Sequence, residues 1–267
     1  MDGSAPASLL MLVAGLGFGG GVLSGLLGIG GGILMTPLLL FVPVACRLPA
    51  LDMQTVAGLT IVQSLFAGLS GLASHRERGN VHFGLALWLG GTMVVTAFGG
   101  AWWSRDVSSE TLLALFAGLA VAAACLMLVP AAHADEERGA DRVSFGRARA
   151  VAVGIVIGFT GGMVGQSGAF MVVPATIHFL RVPVRTAIGT TLAVVVLAAL
   201  AGTAGKLSTG QVVLPLVLAL VPPTMIGARI GARWSGRLRP DVLRRVLALV
   251  IAAAAMRICY ELLTRAT

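Results

Sequence analysis

The apolar residues of this chain fall in long unbroken runs, and the charged residues gather in the gaps between them. A run of about 20 apolar residues is the length that crosses a hydrocarbon layer of roughly 30 Å as a helix. Continuous rather than alternating runs argue against a membrane β-barrel. The pattern predicts segments at 8–28, 31–45, 53–73, 82–103 and 111–130. A polar stretch, 131–150, follows with Asp135, Glu136, Glu137, Arg138, Asp141 and Arg142, and then come segments at 150–165, 168–180, 186–205, 211–232 and 241–262. The expected fold is an all-α integral membrane protein: a first membrane repeat in 1–130, a linker at 131–150 and a second membrane repeat in 151–267.

The two halves share more than their segment count. Gly25 to Pro37 reads GLLGIGGGILMTP, and 137 positions later Gly162 to Pro174 reads GMVGQSGAFMVVP. Gly17, Gly21 and Gly28 recur at the same offset as Gly154, Gly158 and Gly165. Farther along, Gly79-Asn80-Val81 aligns with Gly210-Gln211-Val212, and Gly100 to Ser104 with Gly231 to Ser235, both 131 positions on. The change of offset places extra residues of the first half in the loop around Pro43 to Leu51. Five segments per half is an odd number, so the repeats are expected to be inverted relative to each other, as in many secondary transporters.

The second segment of each half is short. Residues 31–45 make roughly 22 Å of helix at 1.5 Å per residue, less than the hydrocarbon core requires. Each glycine cluster is therefore expected to be the tip of a re-entrant or tilted hairpin, with the two tips facing each other near the membrane midplane.

Composition sharpens the class. The 267 residues are 57% hydrophobic and 11% charged, with a mean hydropathy of +0.94, whereas soluble domains carry roughly 25% charged residues. The net charge of +8 sits in loop arginines, which points to topology and lipid headgroups rather than nucleic acid. With the N-terminus on one side, the opposite side collects fourteen of the nineteen basic residues. The positive-inside rule makes that side cytoplasmic, so both termini are expected outside and the linker 131–150 inside, in a multi-pass protein of a bacterial-type inner (plasma) membrane. Cys46, Cys125 and Cys259 lack CxxC spacing and are expected to be buried, inert thiols. Asp2 and the absence of Lys or Arg before the first run argue against a cleaved signal peptide. No motif for a cofactor, a metal or ATP hydrolysis is present.

Irregular backbone at membrane depth is tolerated only inside protein or along a wet cavity. The short helix after each tip begins with unpaired N–H groups and a positive dipole end, which together seat an anion. The candidate substrate-binding residues are thus Gly28, Ile29, Gly30, Gly31 and Gly32 in the first tip and Gly165, Gln166, Ser167 and Gly168 in the second. Neutral donors in the third segments join them: Thr60 and Gln63 in one half, Thr190 and Thr191 in the other. Pro37 and Pro174 free the carbonyls of Ile33 and Phe170 and are candidate hinges. Thr36 has no hydroxylated counterpart, since Val173 aligns with it. The repeated glycines Gly17, Gly21, Gly25 and Gly154, Gly158, Gly162 have small-xxx-small spacing and read as helix packing. No Asp or Glu lies deep in a predicted span, which weighs against a cation pump and for a small anion as substrate. Trp102, Trp103 and Trp234 fit interface anchors. Gly165-Gln166-Ser167-Gly168 resembles the GxSG of rhomboid proteases, but His178 sits at the far end of the adjoining segment, so no dyad and no catalytic residue is expected.

The glycine motif, its altered second copy and the stretch HRERGNVHF (His75 to Phe83) together resemble the TauE/SafE family of membrane permeases over nearly the whole chain. The resemblance implies transport, often export, of sulfite, thiosulfate, sulfoacetate or similar organosulfonates. It puts Gly28, Gly30, Gly31, Gly32, Pro37, Gly165, Gly168 and Pro174 at the shared core. Gln166-Ser167 stands where the first copy has Ile29-Gly30, so the two half-sites are expected to treat substrate differently. A passive anion channel, a cation-coupled transporter, proton or sodium coupling and homo-oligomerisation all stay open at this point.

Overall fold

A computed structural model describes residues 6–27, 32–76, 81–128 and 145–235, with isolated helical positions at 245, 249 and 256. The first tip, Gly28 to Gly31, residues 129–144 of the polar linker and its approach, and all but those three positions of the last predicted segment lie outside the described residues, and α6 begins within the predicted linker. The described chain is helical: α1 (Ala7–Leu27), α2 (Gly32–Ala45), α3 (Met53–Arg76), α4 (Phe83–Trp103), a short 3-10 turn (Ser104–Asp106), α5 (Ser109–Leu128), α6 (Arg147–Val164), α7 (Ala169–Phe179), α8 (Val184–Ser208) and α9 (Leu214–Ser235).

Seven of these helices are long and apolar enough to cross a membrane; α2 and α7 are apolar but shorter. With 14 and 11 residues, they reach only about 21 and 16 Å at 1.5 Å per residue. Both continue through a proline, Pro37 and Pro174. Large apolar side chains face outward on the spanning helices, among them Met11 at 76%, Leu87 at 70% and Val95 at 73% exposure. Such a surface is stable against lipid rather than water. Trp102, Trp103 and Trp234 are exposed at the ends of α4 and α9.

The central helices are α3 and α8, the most enclosed of the spans, and they pack on each other. Outside them α1 runs along α9, and α6 along α4. Small residues set these seams, because a glycine lets two backbones approach with no Cβ between them. A side chain on Gly21 would strike the backbone of Thr224, and one on Gly231 the carbonyl of Val22. Across the other seam, a side chain on Gly158 would strike Thr96 and Met93, and one on Gly100 the carbonyl of Phe159. These pairs correspond position by position: Gly21 and Gly158, like Val22 and Phe159, are 137 apart, while Thr224 and Met93, like Gly231 and Gly100, are 131 apart.

Two expectations are corrected. Cys46 and Cys125 are free but exposed, not buried. Cys46 follows the last turn of α2, and Cys125 lies on the outward face of α5, where a thiol is simply a small apolar group; Cys259 lies outside the described residues. Lys206, one position past the end of the predicted segment 186–205, belongs to the last turn of α8 and is wholly buried. The described carboxylates Asp52, Asp106 and Glu110 are exposed near helix ends.

Candidate functional site

The second tip is a tight reversal between α6 and α7. Gly165 caps α6 in the left-handed region (φ 80°), and its N–H bonds back to the carbonyls of Gly161 and Gly162. The Gln166 N–H donates to the Gly161 carbonyl at 3.0 Å. A side chain at Gly165 would run into the backbone of Ala57 on α3, so glycine is required there both for its φ and for the contact. Ser167 is also left-handed (φ 51°), which costs a non-glycine residue about 1–2 kcal/mol. Gly168 (φ 64°) starts α7 without a side-chain cap. The helix therefore presents its positive end bare to the tip.

Polar side chains from two other helices, α3 and α2, meet this reversal. Thr60 on α3 has its hydroxyl oxygen 2.9 Å from the Gly165 carbonyl and equally near the Val56 carbonyl, with that of Ala57 at 3.3 Å. Its single proton can be donated to one of the three at a time. Gln166 donates through Nε2 to the Thr36 hydroxyl on α2. Gln63, one turn beyond Thr60 on the same face of α3, lies beside Met35 of α2, where both side chains occupy the space left by the missing Cβ of Gly20 on α1.

Several of these groups are buried without a hydrogen-bond partner among the described residues: both amide atoms of Gln63, Oε1 of Gln166, the Ser167 hydroxyl and the Thr191 hydroxyl. Folded proteins pair nearly all such atoms, and each orphan costs about 1–3 kcal/mol. Two of these orphans, Gln166 Oε1 and the Ser167 hydroxyl, lie in the tip itself, and others, among them Ser24, Ser70 and Thr203, lie on α1, α3 and α8.

Of the residues the sequence singled out, Thr60, Gly165 and Gln166 converge, with Ser167 and Gly168 completing the turn, while Gln63 lies against Gly20 of α1. Gly28, Ile29, Gly30 and Gly31 lie outside the described residues, and Gly32 opens α2. Thr191 is buried on α8, 131 positions after Thr60. Thr190 is committed elsewhere: its hydroxyl accepts from the backbone N–H of His82 at 3.0 Å, just before α4. Two residues were missed. Thr36 was set aside for want of a counterpart, yet it holds the second tip.

The other missed residue is Lys206. Its ammonium donates to Ser104 Oγ at 2.6 Å, Gln211 Oε1 at 2.7 Å and the Met163 carbonyl at 3.2 Å. Met163 lies in the last turn of α6, two residues before Gly165. The sequence did carry a signal, since Lys206 is the single lysine beside eighteen arginines.

An apolar-surfaced helical bundle enclosing a glycine-broken, polar tip defines a multi-pass membrane protein. The chain belongs to the Sulfite exporter TauE/SafE family, whose profile matches residues 13–258, and it is a membrane transporter of that family. It is 27% identical to "Probable membrane transporter protein YdhB" of Bacillus subtilis (strain 168), covering 90% of this chain and 96% of the relative. It is 29% identical to a "Probable membrane transporter protein" of Xylella fastidiosa (strain 9a5c), over 94% of this chain and 95% of the relative. A 23% identity to "Probable membrane transporter protein MJ0441" of Methanocaldococcus jannaschii spans 91% of this chain and 92% of that one. No solved structure matches the chain.

Proposed function

We propose that the protein is a secondary permease for a small anion, a sulfur oxyanion such as sulfite or an organosulfonate. The observation that carries this reading is the bare, positive N-terminus of α7 set beside buried, unpartnered hydroxyl and amide groups. Hydrogen bonds to a charged group are worth about 1.5–3 kcal/mol each. A few suffice to hold an oxyanion that no arginine holds too tightly to release. The family to which the chain belongs supports the sulfur chemistry.

Alternating access fits the packing. The reciprocal seams α1 with α9 and α6 with α4 support two equivalent halves, inverted in the membrane, with a hairpin rocking against the α3 and α8 frame. The arginine-rich side then faces the cytoplasm of an inner (plasma) membrane. A coupling cation is the second reading, favoured by the orphan carbonyl oxygens of Gln63 and Gln166, which accept rather than donate.

Thermal unfolding of the purified protein against sulfite, thiosulfate, sulfoacetate, taurine, sulfate, chloride and sodium tests both readings. A ligand at 100 times its Kd stabilises by about 2.7 kcal/mol. Selective stabilisation by one sulfur anion, followed by its saturable flux in liposomes, is the expected result. Stabilisation by sodium alone would overturn the anion reading.

A further inference from the structure

We propose that Lys206 sets the charge preference of the second tip, an inference that rests on the anion reading above. Two helix ends meet at this tip with opposite partial charges: the negative end of α6 and the positive end of α7. Left alone, they would offset each other, and the site would favour neither anion nor neutral solute. The α6 end, however, is neutralised. Its Gly161 and Gly162 carbonyls are taken by the N–H groups of Gly165 and Gln166, and its Met163 carbonyl by the Lys206 ammonium.

The positive charge of a protonated ammonium outweighs the half charge of a helix end, so with Lys206 protonated the sum at the tip is positive. The ammonium is wholly buried, and its three bonding partners, Ser104, Gln211 and the Met163 carbonyl, are neutral. Its charge is therefore not cancelled by a contact. Lys206 is a positioning residue of the field and does not itself touch substrate.

The repeat offers independent support. At the 131 offset, Lys206, Gln211 and Ser104 align with His75, Asn80 and Ser235. A basic residue, a carboxamide and a serine thus recur as a set in the two halves.

The test is ligand affinity of the full-length protein, read by thermal-shift titration with thiosulfate (two charges), methanesulfonate (one) and taurine (net zero). Lys206→Gln is expected to weaken thiosulfate by about tenfold, the change made by 1.4 kcal/mol. Because Coulomb energy scales with charge, its loss on a logarithmic scale is about twice that for methanesulfonate, with taurine unchanged. Lys206→Arg keeps the wild-type order.

Gln211→Glu places a carboxylate against the ammonium without removing it, and reproduces the lost preference for thiosulfate even if Lys206→Gln fails to fold. Equal weakening of all three ligands, or an unchanged thiosulfate preference in both charge-altering variants, would show a purely structural clasp and overturn the inference while the anion reading stands. Wild-type protein stabilised by none of the anions would overturn both.

Discussion

Thr60 and Gly165 lie 105 positions apart in the chain, yet the threonine hydroxyl sits 2.9 Å from the glycine carbonyl. This contact fastens the second tip to the central helix α3. Thr60→Val keeps the shape and removes the donor. It is expected to cost about 1 kcal/mol, read as a lower unfolding temperature, and to raise KM for flux more than it lowers the maximal rate. An unchanged KM would separate the tip from substrate binding.

Gln166 and Thr36 join the two halves through a single side-chain bond. A double-mutant cycle of Gln166→Ala and Thr36→Val in thermal unfolding should give a coupling of about 1 kcal/mol. Additive effects would mean that the bond contributes nothing to holding the halves together.

Gly165 and Gly210 both have positive φ, but only Gly165 is pressed against a neighbour. Gly210→Ala is expected to cost about 1 kcal/mol from backbone conformation alone. Gly165→Ala adds a collision with Ala57 and should abolish flux and strongly reduce the yield of folded protein in detergent. Equal behaviour of the two variants would contradict the close packing of tip on α3.

Gly21 and Gly19 are near neighbours on α1 with opposite surroundings. Gly21 faces the backbone of Thr224, whereas nothing lies within 4 Å of a side chain at Gly19. Gly21→Leu should separate α1 from α9, costing about 3 kcal/mol or more, while Gly19→Leu should leave the unfolding temperature within a degree or two of wild type. Thermal unfolding in detergent compares them directly.

The sequence alone was enough for the nine helices among the described residues, the short second segment of each half and the position of the second tip. These are local properties: apolar length decides what can span, and a glycine cluster before a proline-containing helix decides where a span breaks. The glycine spacing was equally legible, because glycines at close seams leave a fixed interval in the chain. What the sequence could not decide was partnership between side chains on different helices. Thr190 and Thr191 read alike as adjacent hydroxyls, but adjacent positions on a helix point about 100° apart, and only packing turned Thr190 toward His82. Thr36 looked idle until the bundle set it against Gln166. Lys206 fell one position past the predicted segment 186–205, and a charge near the end of an apolar run ordinarily reaches water. Only the tertiary structure, by placing Ser104, Gln211 and the Met163 carbonyl around its ammonium, supplied the bonds that let that charge be buried.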